Sequence, residues 1–184
     1  AGFKNDVLVT DGTLLYLRQK AFSLDLSDAD EPGNHIIASA GFLDGEPQHR
    51  TNWRVGDALS KQGGGDILVR DNETTYTVQG FPLYANHSYF DPRRSGYLLT
   101  AGSETSGGPR GRNITTLEQW RLDIPITGKA MAKGGDILLV AGEPMRFEDP
   151  RFTDYVEAYD GDLGGRLLAV SADDGTLLSE YELN

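Results

Sequence analysis

One short stretch of the chain carries side chains that could bind a small polar ligand. These are His49, Arg50 and Trp53. They bring together a titratable imidazole, a fixed cation and an indole plane, a combination that can hold a carboxylate or stack on a sugar ring. Arginine and tryptophan in a loop also often fix neighbouring elements to one another. The stretch therefore predicts a ligand site, with a structural contact as the alternative.

Two acidic stretches could offer oxygen ligands to a cation. One spans residues 25–31, and the other contains Asp154, Glu157, Asp160 and Asp162. Calcium takes about six to eight oxygen ligands from carboxylates and carbonyls, which a glycine-rich acidic loop can supply. We predict a calcium site at the second stretch, with a solvated acidic loop as the alternative. A paired-carboxylate glycosidase site could also be drawn from these loops, but the sequence does not set the separation of the carboxyl groups.

Several other kinds of active site lack the residues or the spacing that they need. The chain has no cysteine, which removes disulfides, thiolate metal sites, iron–sulfur clusters and cysteine nucleophiles. Its three histidines form no HxxxH or HxH pair, so we do not expect a zinc site. No G-x-S-x-G elbow occurs, and the glycine-rich stretches lack the Lys-Ser/Thr of a P-loop. We therefore predict no catalytic residues and no resident cofactor.

Composition limits the class of protein and its partners. The chain has 184 residues, of which 38% are hydrophobic and 24% charged, as expected for one globular domain or a part of a larger one. Lysine and arginine number 17 against 28 aspartate and glutamate, a net charge of −11. This balance argues against nucleic acid as a partner. No apolar run approaches the roughly 20 residues of a membrane helix, so we expect no membrane insertion.

The elements that must position these side chains are predicted to be β-strands. Apolar residues come in short runs bounded by Gly, Asp and Asn, and almost nowhere at helical spacing. The predicted strands are 7–10, 14–17, 36–40, 66–70, 74–79, 96–101, 136–141, 166–171 and 177–183. Asp11-Gly12 and Asp174-Gly175 lie between apolar runs, where glycine supplies the positive φ of a tight hairpin turn.

An internal repeat indicates how the strands are organised. The segment GGDILV at 64–69 recurs as GGDILLV at 134–140, although such a hairpin entry could also recur by chance. A unit of turn, buried strand, turn and half-exposed strand cannot bury its own faces, so it must stack on copies of itself. We predict an all-β fold of β-propeller blades, about three four-stranded antiparallel sheets at approximately 1–60, 61–125 and 126–184. The whole chain, 1–184, is then a single propeller segment.

The last predicted blade is the most complete. Residues 127–132 would form its inner strand, followed by 136–141, 166–171 and an outer strand at 177–183. The insertion at 142–163 is too long for a hairpin turn, and we predict a loop on one face of the propeller. Long loops on rigid sheets are common places for binding sites.

Several segments together resemble the PQQ-like (quinoprotein-type) β-propeller repeat proteins, particularly large secreted bacterial members. Residues 9–12 with 15–18 look like the strand–turn–strand entry of that group, and 41–44 with 49–53 look like its signature connection. Residues 129–142 and 167–177 look like its final blades. The resemblance implies a β-propeller and an extracellular, cell-surface or periplasmic location.

The same resemblance bears on the cofactor. Quinone dehydrogenases of this group resemble one another in an adjacent-cysteine disulfide over the cofactor and in tryptophan docking repeats on the outer strands. This chain has no cysteine and two tryptophans, Trp53 and Trp120. A PQQ site is therefore not expected in this chain alone.

About three blades are fewer than the roughly four to eight of a propeller. An incomplete arc leaves the flat apolar faces of its terminal blades exposed. We expect further blades, from the same or another chain, to cover these faces, and a homo-oligomer is possible.

We therefore favour a non-catalytic structural or binding module of a secreted or cell-surface protein. One alternative is part of a quinoprotein-like oxidoreductase whose cofactor residues lie outside this chain. Another is a carbohydrate-binding propeller that uses Trp53, Tyr84, Tyr89 and Trp120 as stacking platforms.

Overall fold

The computed structural model describes ten ranges of the chain. These are residues 7–17, 20–29, 35–38, 53–55, 64–65, 67–71, 74–80, 97–106, 114–148 and 151–183. The chain forms two compact units. The first comprises Ala1–Gly64 and Glu104–Leu117, and the second Gly65–Ser103 and Glu118–Asn184.

The described strands form three four-stranded antiparallel sheets and one three-stranded sheet. The N-terminal sheet has the order β1-β2-β3-β4, with β1 at Leu8–Thr10, β2 at Leu14–Leu17, β3 at Lys20–Ser23 and β4 at Asp28–Ala29. The three-stranded sheet has the order β5-β6-β7, with β5 at Ile36–Ala38, β6 at Trp53–Val55 and β7 at Gly64–Gly65. Residues 1–60, predicted as one blade, thus contribute strands to two sheets.

The remaining eight described strands form the other two four-stranded sheets. The central sheet has the order β11-β10-β9-β8, with β8 at Ile67–Asp71, β9 at Thr74–Gly80, β10 at Tyr97–Ser106 and β11 at Ile114–Ile124. The C-terminal sheet has the order β12-β13-β14-β15, with β12 at Ala130–Gly134, β13 at Ile137–Gly142, β14 at Gly165–Ser171 and β15 at Leu177–Leu183. The prediction of about three four-stranded antiparallel sheets is confirmed, in a described structure that is mostly β with one helix.

The core of the second unit lies between the central and C-terminal sheets. Leu138 and Val140 on β13, and Leu168 and Val170 on β14, have no exposed surface, and they belong to one apolar cluster with Val78 of the central sheet. Burying a side chain of this size stabilises the fold by about 1.5–3 kcal/mol. The first strands of the two sheets, β8 and β12, lie next to each other. The two sheets therefore share one apolar core and are adjacent along their first strands.

The two copies of the GGDIL segment occupy different positions in their sheets. Gly135, with φ +57°, belongs to the hairpin turn that joins the first strand, β12, to the second, β13. In the earlier copy, Gly64–Gly65 is itself a short strand, and the following Ile67 begins β8, the first strand of the central sheet. The repeat therefore marks an entry into a strand, but not equivalent strands of two blades.

A helix lies in the insertion that we predicted to be a loop. Helix α1 spans Phe152–Tyr159. Tyr155 and Ala158, three residues apart, are buried on one side of it, and the ring of Phe147 meets that of Tyr155 edge-on with 5.3 Å between centroids. A helix of two turns buries too few positions to show a clear helical period in the sequence. No helix in the described ranges is long and apolar enough to cross a membrane.

Candidate functional site

The predicted ligand site is only partly within the described residues. His49 and Arg50 lie outside them. Trp53 begins β6, where it pairs with Ala38, and its side chain is partly buried. The binding role of these three residues stays a prediction.

The four acidic residues predicted to bind calcium lie on helix α1 and the turn after it. Asp154 stands in the first turn, Glu157 is exposed on the helix, Asp160 is its C-terminal cap, and the backbone N–H of Asp162 donates to the Glu157 carbonyl. Both carboxylate oxygens of Asp154 are engaged by Arg151, which donates from its guanidinium at 2.8 Å and from its backbone N–H at 2.7 Å. These hydrogen bonds lower the pKa of Asp154.

Among the described residues, the acidic side chains of this helix and turn do not converge on one point. Within the described ranges, no three His, Cys, Asp or Glu side chains come close enough together to hold a metal ion. Each oxygen of the Asp154 carboxylate already accepts one hydrogen bond from Arg151, whose positive charge would repel a cation bound there. The calcium site therefore stays a prediction.

Trp120 joins the central sheet to the C-terminal sheet. Its indole N–H donates to the backbone carbonyl of Ala172, in the turn between β14 and β15, at 2.9 Å. The same turn presents Gly175, where an added Cβ would lie 2.6 Å from Cε3 of the indole ring. The indole therefore fits against bare backbone. Trp120 is partly buried, and the carbohydrate-stacking role considered for it stays a prediction.

A lysine forms a second connection between the same two sheets. The ammonium group of Lys133 on β12 lies 2.6 Å from a carboxylate oxygen of Asp71 on β8, and it also donates to the Gly135 carbonyl at 2.6 Å. It lies 6.0 Å from the ring centroid of Tyr76. The hydrogen bond to Asp71 raises the pKa of Lys133, and burial raises the pKa of Tyr76. The lysine therefore stays charged beside a neutral phenol.

One face of the C-terminal sheet is apolar and exposed. Successive strand residues point to opposite sides of a sheet, so the face opposite the buried Leu138 and Val140 carries their neighbours. Ile137 is 43% exposed and Leu139 40%, while Tyr181 and Leu183 on β15 are 57% and 42% exposed. We call this surface the outer face. Its register positions are Ala130, Ala132, Gly134, Ile137, Leu139, Ala141, Gly165, Leu167, Ala169, Ser171, Ser179, Tyr181 and Leu183.

The outer face has the character of an interaction surface. The pairing places Leu139 between Ala132 and Ala169, and Leu167 between Ala141 and Tyr181, so apolar residues are neighbours across all four strands, with Ala169 itself buried. None of its positions carries a charged side chain. Contiguous exposed apolar surface of this kind is typical of a site that contacts another protein surface.

The N-terminal sheet also has one covered and one exposed side. Tyr16 is buried, and its ring stacks on that of His35 with 3.9 Å between centroids and 9° between the planes. On the other side, Leu8 of β1 pairs with Leu17 of β2 and is largely exposed. Leu24 and Leu26, in the turn between β3 and β4, are exposed as well.

The predicted Asp-Gly turn of the N-terminal sheet is confirmed. Gly12 has φ +89°. The Asp11 carboxylate accepts the backbone N–H groups of Leu14 and Thr13, each at 2.8 Å, and the hydroxyl of Tyr16 at 2.7 Å. The bonds from Leu14, Tyr16 and Thr13 lower the pKa of Asp11 from 3.8 to about 2. The stabilisation from this carboxylate is therefore complete above about pH 4 and is lost as the pH falls through about 2.

Replacing Tyr16 with phenylalanine should raise the pKa of Asp11 from about 2 toward 3.8, because the hydroxyl donor is lost. The pKa follows from the carboxyl ¹³C shift of Asp11 across an acid titration. Asp25 is the internal control, since the Ser23 and Ser27 hydroxyls lower its pKa to about 2 and no tyrosine contributes. An unchanged Asp11, or an equal rise at Asp25, would contradict the role assigned to Tyr16.

Lys133 and Tyr181 were not predicted as functional, and Trp120 was considered only as a carbohydrate-stacking platform. Lys133 gave no signal, because its partner Asp71 is distant in sequence. Trp120 and Tyr181 do share a pattern, since W-R-L-D at 120–123 resembles Y-E-L-N at 181–184. This aromatic–charged–leucine–polar alternation could have indicated equivalent strands.

In comparisons with known proteins, no family model, no curated protein and no solved structure matched this chain. Its function is therefore argued from the contacts of its own residues.

Proposed function

We propose that this chain is a non-catalytic structural and binding module whose four-stranded sheets stack as β-propeller blades. The observation that supports this most directly is the contact between the central and C-terminal sheets. Their first strands, β8 and β12, are neighbours. Trp120 of the fourth strand, β11, reaches the turn before the fourth strand of the next sheet.

This arrangement is what stacked blades require. Each blade is a four-stranded meander, and blades pack face to face around a common centre. The central and C-terminal sheets are both meanders in which each strand pairs with the next along the chain. Their shared apolar core supports a blade-like contact rather than a chance approach of two loops.

The polar side chains described above support a non-catalytic role. Asp11, Asp25 and Asp174 accept backbone N–H groups within tight turns. Lys133 joins two strands through Asp71, and Arg151 binds Asp154 at the start of α1. Each of these charged groups thus stabilises a turn, a contact between strands or the start of a helix. The exposed apolar outer face is the surface that we assign to binding.

The proposal is tested on protein purified from its native source. We expect absorption from the aromatic side chains alone, no stoichiometric calcium, and no dye-linked dehydrogenase activity when PQQ and calcium are added. A quinone chromophore together with stoichiometric calcium would overturn the proposal in favour of the quinoprotein oxidoreductase. A reproducible hit on a glycan array would instead favour the carbohydrate-binding alternative, and variants of Trp53 would then test the platform.

A further inference from the structure

We propose that the outer face of the C-terminal sheet binds the N-terminal sheet of a second copy of this chain. The inference rests on the proposed stacking of sheets and names the partner for its exposed end. It would join different surfaces of two identical molecules in a head-to-tail contact.

The contact already present within the chain is the template for this interface. On β11, Trp120 and Leu122 alternate and pack against the core shared with the C-terminal sheet. On β15, Tyr181 and Leu183 repeat that alternation on the outer face. Trp120 contacts the next sheet, whereas Tyr181 and Leu183 are exposed. The outer face thus presents side chains of the same kinds, in the same order, as a face that does bind a sheet.

The N-terminal sheet carries a turn that suits this face. Trp120 docks on the turn in which Thr176 donates its backbone N–H to Asp174 at 2.9 Å. In the turn between β3 and β4, Ser27 donates in the same way to Asp25 at 3.0 Å. The next-to-last residue of each turn has a positive φ, +76° at Gly175 and +68° at Leu26.

The two turns differ in the residue that has the positive φ, and at Gly175 this residue faces the aromatic ring. Gly175 leaves bare backbone under the indole, whereas Leu26 presents a side chain that is 68% exposed. Tyr181 of one copy would therefore lie against the Leu26 side chain of the other. Leu8 and Leu24 add exposed apolar surface to the same sheet. Among the described residues, the large exposed apolar side chains of the sheets belong to these two sheets.

Charge gives this interface a recognisable salt dependence. The outer face has no charged residue, whereas each chain carries a net charge of −11. On the N-terminal sheet, the face that carries Leu8 also carries the Lys20–Asp28 ion pair, which adds no net charge to the interface. Two copies therefore repel each other at long range while their apolar side chains attract. Salt screens the repulsion over about 8–10 Å at physiological strength, so association should strengthen as salt is added. An interface held by ion pairs would weaken instead.

The test measures the mass of the full chain by light scattering across protein and salt concentrations. We expect self-association that increases with both. Leu139→Asp on the outer face, or Leu8→Asp on the N-terminal sheet, should raise the dissociation constant at least about 30-fold, as for a central interface residue. Val156→Asp on α1 is the matched control, because Val156 is 39% exposed and Leu139 40%. Circular dichroism checks that each variant is folded.

Mixing the two interface variants identifies the head-to-tail arrangement. The Leu139→Asp variant keeps an intact N-terminal sheet, and the Leu8→Asp variant keeps an intact outer face. Each variant alone should be monomeric, and their equimolar mixture should form a dimer but nothing larger. A mixture that stays monomeric while the wild type associates would overturn the pairing of these two faces.

Other outcomes would also overturn this inference. A wild type that stays monomeric at high protein and salt concentration has no such interface, and equal weakening by Val156→Asp would remove the outer face as its cause. These results leave the proposed module intact, since a colourless, metal-free monomer is compatible with it. A quinone chromophore would reject the module whatever the oligomeric state.

Discussion

Replacing Trp120 with alanine should lower the free energy of unfolding by about 3 kcal/mol. The change removes the indole that packs against the shared core and the hydrogen bond to the Ala172 carbonyl. Trp120→Phe keeps an aromatic ring and loses the hydrogen bond, so it should cost about 1 kcal/mol. Urea unfolding followed by circular dichroism measures both changes without depending on tryptophan fluorescence. Equal, small losses for the two variants would contradict a role for Trp120 between the sheets.

Gly175 provides an independent test of the same contact. An added Cβ meets the indole ring at 2.6 Å, and φ at Gly175 is +76°. Gly175→Ala should therefore lower the free energy of unfolding by about 3 kcal/mol, because the clash with the indole and the strained backbone both destabilise the fold. Gly161→Ala is the control, because φ is +87° and nothing lies within 4 Å of its Cβ. In that variant the strained backbone alone should lower the free energy of unfolding by about 1 kcal/mol.

The two substitutions should be coupled. In the Trp120→Ala background the clash partner is absent, so Gly175→Ala should cost only about the 1 kcal/mol expected at Gly161. A double-mutant cycle measures the difference. Costs for Gly175→Ala that are equal in the two backgrounds would show that the indole does not lie on this turn.

Replacing Gly142 with alanine should also lower the free energy of unfolding by about 3 kcal/mol. A Cβ at this position, the last residue of β13, would overlap the backbone carbonyl oxygen of Thr127. That oxygen cannot swing aside as a side chain could, because the neighbouring backbone is held. The N–H of Thr127 bonds to the Glu143 carbonyl, and the N–H of Lys129 bonds to the Ala141 carbonyl, each at 2.9 Å.

The control for Gly142 lies on the neighbouring strand. Gly134 ends β12 and has nothing within 4 Å of an added Cβ. Gly134→Ala should be neutral or should stabilise the fold by up to about 1 kcal/mol, since alanine restricts the unfolded chain. Thermal and urea unfolding of both variants make the comparison. Similar effects at the two glycines would show that the approach of Thr127 to β13 is not as close as described.

Most strands of the fold could be predicted from the sequence, whereas the strands lacking a clean apolar run could not. The intervals 14–17 and 177–183 match β2 and β15 residue for residue. The strands β3, β4, β6 and β7 were not predicted, because they are short and each of them carries a charged residue or glycine. The long strand β11 was also not predicted, because its apolar side chains begin to alternate only from Trp120 onward.

Some features of the candidate surfaces could likewise be predicted from the sequence, and others could not. Exposed faces on the terminal sheets were predicted from the number of blades, and the structure shows apolar exposure at Leu139, Tyr181 and Leu8. The ligand site at His49 and Arg50 lies outside the described residues. The acidic group at Asp154 was predicted from composition, but its ion pair with Arg151 was not. A cluster of acidic residues in the sequence does not indicate which side chain each carboxylate contacts in the fold.

By itself, the sequence determined the features that depend on a few consecutive residues. Alternating apolar side chains specify a strand, and Asp-Gly specifies a turn at Gly12 and Gly175, because both follow from local sterics and hydrogen bonding. Only the tertiary structure decided which strand is first in its sheet, which side of β13 is buried, and that Trp120 meets Ala172. Those features depend on the packing of residues far apart in the chain. For the same reason, two nearly identical GGDIL segments came to occupy different places.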